Sequence, residues 1–420
     1  MKVIKEATQK TYQRNPELIQ SVADIIQQVI ANGDAAIQAL SQKFDGIQLD
    51  HIKVTKEDIK NAYQQVDEKT VADLKFAAEQ IRFFAEKQLG CLKNLEVQTA
   101  VHGVTLGHRL IPVEKSGAYI PAGRYPLPSS ALMNIIPAKV AGVKVVSACC
   151  PPSKQHGMIH PVVLVAADIA GADHIYCVGG AQAVAAMAYG TETVEKVDLI
   201  AGPGNKFVTE AKRQVLGDVG IDSLAGPSEV LILADESANP EYIAIDLLAQ
   251  SEHDPNAKAI LVTTAPEMVE EINEYLEAFV KELGTGATAY RAWEDNGQII
   301  VADNLEEAIA ITNDAAPEHL EVHTKNCLEV SERLINFGSL FIGPYAPVAF
   351  GDYVSGTNHT LPTMQTAKYS NGIWVGTFIK TSFFQHITKE GCENLADACM
   401  HIARLEGLLA HEKSVAVRLK

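Results

Sequence analysis

The chain has 420 residues, of which 47% are hydrophobic and 21% charged, the usual balance of a folded globular protein. Its formal net charge of −17 argues against nucleic acid or an anionic membrane as a partner, because both require clustered lysine and arginine. This length predicts two or more packed lobes. The seven cysteines form no CxxC pair, and neither a signal sequence nor a long apolar run is present, so we expect a cytoplasmic protein with reduced thiols.

Helical periodicity dominates residues 16–90, with breaks near 32–34 and 44–46. From about residue 143 the pattern changes to short apolar runs that alternate with helical stretches, which is typical of βαβ units and a largely parallel sheet. The last fifty residues return to a helical pattern. The predicted strands are 143–148, 174–178, 197–200, 230–234, 259–262 and 299–301, with shorter ones at 320–323 and 339–342.

Glycine- and proline-rich loops follow several of these strands, at the end where parallel sheets bind ligands. Residues 202–207 read Gly-Pro-Gly-Asn-Lys-Phe, with phenylalanine where the dinucleotide fingerprint requires its third glycine. The spacing alone favours a tight strand-to-helix turn over a cofactor loop, with Asn205 capping the helix over 208–215. Residues 226–228 precede a strand and are a candidate hinge between lobes.

A possible metal site begins with Gln250 and His253, which follow a helical run and are spaced to share one helix face. An amide oxygen and an imidazole, joined by a distant aspartate and a second histidine, can supply four ligands to zinc. The stretch after residue 350 predicts a long shaped loop, in which Asp352 and His359 are either turn formers or ligand-binding groups. By default His411, near the C-terminus, is a solvated histidine at a helix end.

Glu318 and His319 place two proton-transfer groups side by side. In a regular strand they would face opposite sides, so both reach one substrate only from irregular backbone. Pro317 favours such backbone at the start of a strand. Without further context, a surface glutamate beside a partly buried histidine is the favoured interpretation.

Together these motifs resemble the histidinol dehydrogenase family, over the chain from about Gly117 to its end. The resemblance implies an NAD- and zinc-dependent enzyme that oxidises L-histidinol to L-histidine in two successive hydride transfers, the last step of histidine biosynthesis. The residues that carry it are 119–123, 133–143, 179–182, 201–205, 225–229, 250–253, 317–320, 351–353, 358–363 and 406–411.

The resemblance also implies a role for each matching residue. His319 is the base for the alcohol proton, Glu318 activates the water that adds to the aldehyde, and His411 comes from the partner subunit of a homodimer. The implied ligands of one zinc ion per subunit are Gln250, His253, Asp352 and His411. The substrate is bound by Ser228, His359 and Glu406, together with the metal ligands and the catalytic pair. The residues implied to contact NAD are Tyr119, Gln182 and Asn205.

The implied fold is α/β, with two Rossmann-like lobes of largely parallel strands and helical N- and C-terminal segments that contribute to the dimer. Residues 16–116 and 228–370 are expected to form the larger lobe, which holds the metal and catalytic residues. Residues 117–227 form the second, NAD-contacting lobe. Residues 1–15 are an N-terminal segment, and residues 371–420 are a helical dimerisation segment.

Two alternatives stay open. Residues 123–126 and 369–381 are closer to a paralogous branch that includes sulfopropanediol dehydrogenase, so the substrate is histidinol or another small alcohol. The second alternative is a non-catalytic nucleotide- or metal-binding protein on the same scaffold, and the presence of both Glu318 and His319 argues against it. The native metal is also open, since nitrogen and oxygen ligands accept several divalent ions.

Overall fold

The computed structural model describes residues 1–8, 15–122 and 125–420. Within these ranges the strands are β1 (Lys2–Lys5), β2 (Leu95–Gln98), β3 (Val104–Pro112), β4 (Lys115–Tyr119), β5 (Val145–Cys150), β6 (His174–Cys177), β7 (Leu199–Ala201), β8 (Gly220–Ile221), β9 (Glu229–Ala234), β10 (Lys258–Thr263), β11 (Gln298–Val301), β12 (His319–His323), β13 (Ser339–Ile342) and β14 (Ile379–Ile387). The α-helices are α1 (Pro16–Phe44), α2 (Lys56–Gln65), α3 (Glu68–Gly90), α4 (Pro128–Ala141), α5 (Pro161–Ala170), α6 (Gly180–Tyr189), α7 (Lys206–Val215), α8 (Pro240–Ser251), α9 (Met268–Glu282), α10 (Gly286–Asn296), α11 (Leu305–Ala315), α12 (Cys327–Ser331), α13 (Val348–Tyr353), α14 (Lys389–Leu405) and α15 (Leu409–Ala416).

Two mainly parallel sheets organise these elements. The larger has six strands in the order β1-β11-β10-β9-β12-β13, and every neighbouring pair is parallel except β1 with β11. The second has five parallel strands in the order β6-β5-β4-β7-β8. Each predicted strand overlaps an observed strand. The α/β fold with largely parallel sheets is therefore confirmed.

The chain termini differ from the prediction. Residues 371–420 are not wholly helical, because β14 pairs antiparallel with β3, and β3 with β2, to form a third sheet. The side chains of β14 are mostly exposed, so its sequence lacks the apolar run that identifies a buried strand. At the other end, residues 2–5 form the edge strand β1 where a helical segment was predicted. Residues 9–14 of the predicted N-terminal segment lie outside the described ranges.

The strand β9 is buried on both faces, which explains its continuous apolar sequence. Val230 and Ile232 pack into a core shared with α8, α9 and α10, while Leu231 and Leu233 pack into a core on the opposite face. This alternation follows from the two-residue repeat of a strand. None of the described helices is long and apolar enough to cross a membrane.

A third core contains the five-stranded sheet together with the first three helices. Val22 and Ile37 of α1 and Ile81 of α3 belong to the same buried cluster as Val146 of β5 and Ile200 of β7. This packing places α1, α2 and α3 with residues 117–227, whereas the prediction grouped residues 16–116 with residues 228–370. The lobe boundaries stay a prediction.

Candidate active site

Glu318 and His319 lie at the amino-terminal edge of the six-stranded sheet. Glu318 is 5% exposed and His319 4%, which rules out a surface glutamate. His319 is the first residue of β12, and the chain enters this strand through Ala316, which has a φ of 45°. Both side chains bind the backbone of Glu229 on β9: its N–H donates to Glu318 Oε2 at 2.8 Å, and its carbonyl lies 3.0 Å from His319 Nδ1.

The contact with the Glu229 carbonyl determines which ring nitrogen of His319 carries the hydrogen. A carbonyl can only accept, so Nδ1 carries the hydrogen and Nε2 of the neutral ring keeps a lone pair. Nε2 is buried and makes no hydrogen bond within the described part of the chain, and Asp352 Oδ1 lies 3.6 Å from it. A buried ring nitrogen without a partner is unusual and is typical of a position that binds substrate.

The surroundings raise the pKa of both Glu318 and His319, but for different reasons. Burial is the largest cause for Glu318 and raises its pKa to about 8. Burial alone would lower the pKa of His319, but the charge of Glu318 and contact with Asp352 raise it to about 9. While the carboxyl groups of Glu318 and Asp352 face His319 without a compensating cation, they favour the protonated ring, and a positive charge bound beside Asp352 would return the ring to the neutral form that can act as a base.

Asp352 joins this pair from α13. Burial raises the pKa of Asp352, but contact with His319 and its charge, followed by the charges of His359 and His253, lower it overall below its ordinary value. Asp352 belongs to the last turn of a short helix, so the predicted loop begins only after Tyr353. Burial lowers the pKa of His359, which lies in that irregular segment.

His253 does not lie on the helix that carries Gln250, so the predicted shared helix face is wrong. The helix α8 ends at Ser251, and the backbone N–H of His253 donates to the Gln250 carbonyl at 3.4 Å in the turn that follows. The sequence Asp254-Pro255 explains this end, because a proline disfavours helical backbone at the preceding residue. Gln250 is buried in the last turn of α8, and His253 is exposed.

The topology brings these segments to one edge of the sheet. The helix α8 connects the parallel strands β9 and β10, so its last turn returns to their amino ends. The helix α13 starts beside the middle of β12, where Val348 N–H donates to Glu321, and ends with Asp352 beside His319. Ser228 directly precedes β9 at the same edge and is half-buried.

Two predicted site residues are not brought to this cluster within one chain. Glu406 follows α14, His411 lies in α15, and both are exposed. Large apolar side chains beside them are also exposed, including Leu405 at 73% and Leu409 at 65%. Among the described residues, one group of three or more His, Cys, Asp or Glu has ligand atoms within 4.8 Å of one another, and it does not contain His411.

The three residues implied to contact NAD lie at the carboxyl edge of the five-stranded sheet, where parallel sheets bind ligands. Tyr119 ends β4, and its hydroxyl accepts from the Gly180 N–H at 3.0 Å at the start of α6. Gln182 lies in the first turn of α6 and is buried, like Tyr119. Asn205 caps α7 as predicted, accepting from Phe207 N–H at 2.9 Å.

The turn before Asn205 requires glycine. Gly202 has a φ of 122°, and a Cβ at this position would lie 2.1 Å from the carbonyl oxygen of Tyr119. The absence of a side chain therefore lets the loop after β7 approach the end of β4. Of the predicted family motifs, Gly123 and Arg124 lie outside the described residues.

Sequence reasoning missed Glu229 and a buried group formed by Asp246, Glu321 and His323. The contacts of Glu229 are made by its backbone, which no side-chain motif reveals. The other group left a signal: His319-Leu320-Glu321-Val322-His323 alternates polar and apolar residues, which puts its polar residues on one face of β12.

Comparisons with known proteins agree with this geometry. The family model described as histidinol dehydrogenase matches residues 8–419. A histidinol dehydrogenase of Methanocaldococcus jannaschii is 46% identical, covering 99% of this chain and 97% of that protein. A histidinol dehydrogenase homolog of Shouchella clausii is 45% identical over 96% of this chain and 94% of that protein. The crystal structure of histidinol dehydrogenase from Elizabethkingia anophelis superimposes with a TM-score of 0.93 at 37% identity, covering 98% of this chain and 94% of that chain.

The fold, the buried proton-transfer pair and these matches define the chain as an enzyme, an NAD-dependent oxidoreductase. It belongs to the histidinol dehydrogenase family. The resemblance seen in its motifs is thereby confirmed.

Proposed function

We propose that the chain oxidises L-histidinol to L-histidine through L-histidinal, with reduction of two NAD and with a bound zinc ion, as the last step of histidine biosynthesis. The observation that carries this proposal is the buried, unpartnered Nε2 of His319 beside Asp352. An imidazole nitrogen that keeps its lone pair and is shielded from water can accept a proton from a bound alcohol.

The donor groups around Asp352 suit a divalent metal ion. Gln250, His253 and Asp352 offer an amide oxygen, an imidazole and a carboxylate, and the partner subunit's His411 would complete a four-ligand set that zinc accepts. One carboxylate among four ligands leaves a positive charge. When bound, the ion supplies that charge to hold the nitrogen lone pairs of an amino alcohol and to offset the carboxylates around His319.

The chain's own groups divide the remaining work. His319 accepts the alcohol proton at Nε2 while hydride leaves for NAD, and Glu318 activates the water that adds to the aldehyde. Ser228, His359 and Glu406 orient the substrate. Because Glu318 and His319 are buried, the aldehyde is retained in a site largely closed to bulk water until the second oxidation.

A homodimer with shared sites follows from the same assignment. Residues 371–420 expose several large apolar side chains, including Phe383 at 85% and Leu405 at 73%, and exposed apolar surface favours burial against another protein. A second copy of the chain that covers this face would bring the partner subunit's Glu406 and His411 to the site. The seven cysteines are all free thiols, which favours a cytoplasmic location.

Steady-state rates with NAD test the substrate. We expect saturable turnover of L-histidinol, with two NADH formed for each histidine, and loss of activity after thorough chelation that zinc restores. Sulfopropanediol is the matched alternative, because residues 123–126, 369–376 and 378–381 are closer to that paralogous branch. Turnover of sulfopropanediol with negligible turnover of histidinol would assign the other substrate, and no turnover of either alcohol would favour a binding protein.

Asn205 offers a test of the NAD assignment that separates binding from folding. Asn205→Ala removes the helix cap and is expected to lower the free energy of unfolding by about 1 kcal/mol. Asn205→Asp keeps a capping oxygen but replaces the amide nitrogen with a charged acceptor. We therefore expect Asn205→Asp to unfold at nearly the same denaturant concentration as wild type while its KM for NAD rises several-fold. An unchanged KM for NAD in both variants would limit Asn205 to capping.

A further inference from the structure

Asp246, Glu321 and His323 form a polar cluster on the side of β12 that faces α8 and α13, in which Glu321 and His323 are buried and Asp246 is half-buried. Their ligand atoms all lie within 4.8 Å of one another. Glu321 is 0% exposed and His323 3%, and the ring Nε2 of His323 lies 3.3 Å from Glu321 Oε2. The other oxygen of Glu321 accepts the Val348 N–H at 3.0 Å. Glu321 therefore connects two elements directly.

Asp246 and Glu321 each lie one structural repeat from a site residue, and so does Val348, whose N–H Glu321 accepts. Asp246 is one helical turn before Gln250 on α8, and Val348 is one turn before Asp352 on α13. Glu321 is two residues after His319 on β12, so the two side chains point to the same face. The cluster thus lies directly below the candidate active site along all three elements.

We propose that Asp246 and Glu321, with His323 beside Glu321, act as a positioning clamp, whose polar contacts hold α8 and α13 against β12 and set the separation of Gln250, Asp352 and His319. The consequence for function rests on the roles proposed for those three residues. A one-ångström error in such an arrangement is enough to weaken metal binding and catalysis, because both depend on the directions of the ligand atoms.

A shared proton explains how the carboxyl groups of Asp246 and Glu321 lie within 4.8 Å of one another. Burial is the largest cause that raises the pKa of Asp246, and the charge of Glu321 and a hydrogen bond with it raise it further, to about 8. At neutral pH Asp246 is therefore protonated and donates to Glu321. Glu321, with one oxygen on Val348 and the other facing His323, has the acceptor capacity for this bond.

Paired substitutions at Asp246 test the clamp. Asp246→Asn keeps a donor toward Glu321, whereas Asp246→Leu has similar volume and no polar atom. We expect the leucine variant to bind zinc more weakly by on the order of 10- to 100-fold and to lose a similar factor in kcat, as for groups that orient metal ligands. The asparagine variant should stay within about threefold of wild type in both, and KM for NAD should not change in either. Equal zinc affinity and kcat in the two variants would refute the clamp.

Hydrogen exchange provides a measurement that does not depend on turnover. Glu321→Gln keeps an oxygen for the Val348 N–H, and Glu321→Leu removes it. We expect faster amide exchange in peptides covering 348–353 only in the leucine variant, and unchanged exchange there would refute the clamp. If Asp246→Leu does not fold, Glu321→Gln and Glu321→Leu are compared for zinc affinity and kcat with the same criteria. If wild type oxidises no histidinol while zinc affinity and exchange change as expected, the clamp stands and the proposed substrate fails.

Discussion

His319→Asn is expected to abolish nearly all alcohol oxidation while the protein keeps its zinc. The amide nitrogen of asparagine can take the place of Nδ1 and donate to the Glu229 carbonyl, so the local hydrogen bond is preserved. No group remains at the position of Nε2 to accept the substrate proton. Removal of a general base lowers kcat by about 10²- to 10⁴-fold. The measurements are kcat with NAD and histidinol, zinc content by elemental analysis, and thermal unfolding.

His359→Asn is the matched control, because His359 is also a histidine close to Asp352. Its proposed role is to bind the alcohol, so its replacement should raise KM for the alcohol more than it lowers kcat. A loss of kcat in His319→Asn together with a KM effect in His359→Asn would separate the base from a binding group. A His319→Asn variant with near wild-type kcat and full zinc content would contradict the base assignment.

The fold was predictable where burial leaves a strong pattern. The strand β9 contributes to a core on each face, so Val230–Ala234 reads as a short apolar run, which is typical of a strand buried on both faces. The strand β14 has mostly exposed side chains and reads like the helices around it. Its strand conformation depends on pairing with β3, which is distant in sequence. Local periodicity carries no information about such a pairing.

The site was predictable in its residue types but not in its geometry. Motifs pointed to Glu318, His319 and Asp352, yet the free lone pair of His319 depends on the carbonyl of Glu229, 90 residues earlier in the chain. Tyr119 and Asn205 lie at the carboxyl ends of their strands, where the sequence analysis expected ligand-binding loops, whereas His319 begins its strand. The helix α8 runs back to the amino ends of the strands, so Gln250 in its last turn lies at the edge where His319 begins β12.

Mixing two inactive variants is expected to restore activity if the site is shared. In a mixed dimer of Gln250→Ala and His411→Ala subunits, one site lacks both ligands and the other has all four. Random exchange makes half of the dimers mixed, so recovery of up to about a quarter of wild-type activity is expected for a symmetric dimer. The exposed position of His411 on α15, beside the exposed side chain of Leu409, is the structural reason. Activity and zinc content are measured after exchange is verified by native mass spectrometry.

A matched mixture tells complementation from simple stabilisation. Gln250→Ala mixed with Asp352→Ala leaves every site defective, because both ligands come from the same subunit, and no recovery is expected. Glu406→Ala mixed with His411→Ala should fail for the same reason, whereas Gln250→Ala with Glu406→Ala should recover. Recovery is thus expected only when the two substituted residues reach one site from different subunits. If exchange is verified but neither Gln250→Ala with His411→Ala nor Gln250→Ala with Glu406→Ala recovers activity, each chain builds its own site. The exposed apolar side chains of residues 371–420 would then contact something other than a second active site.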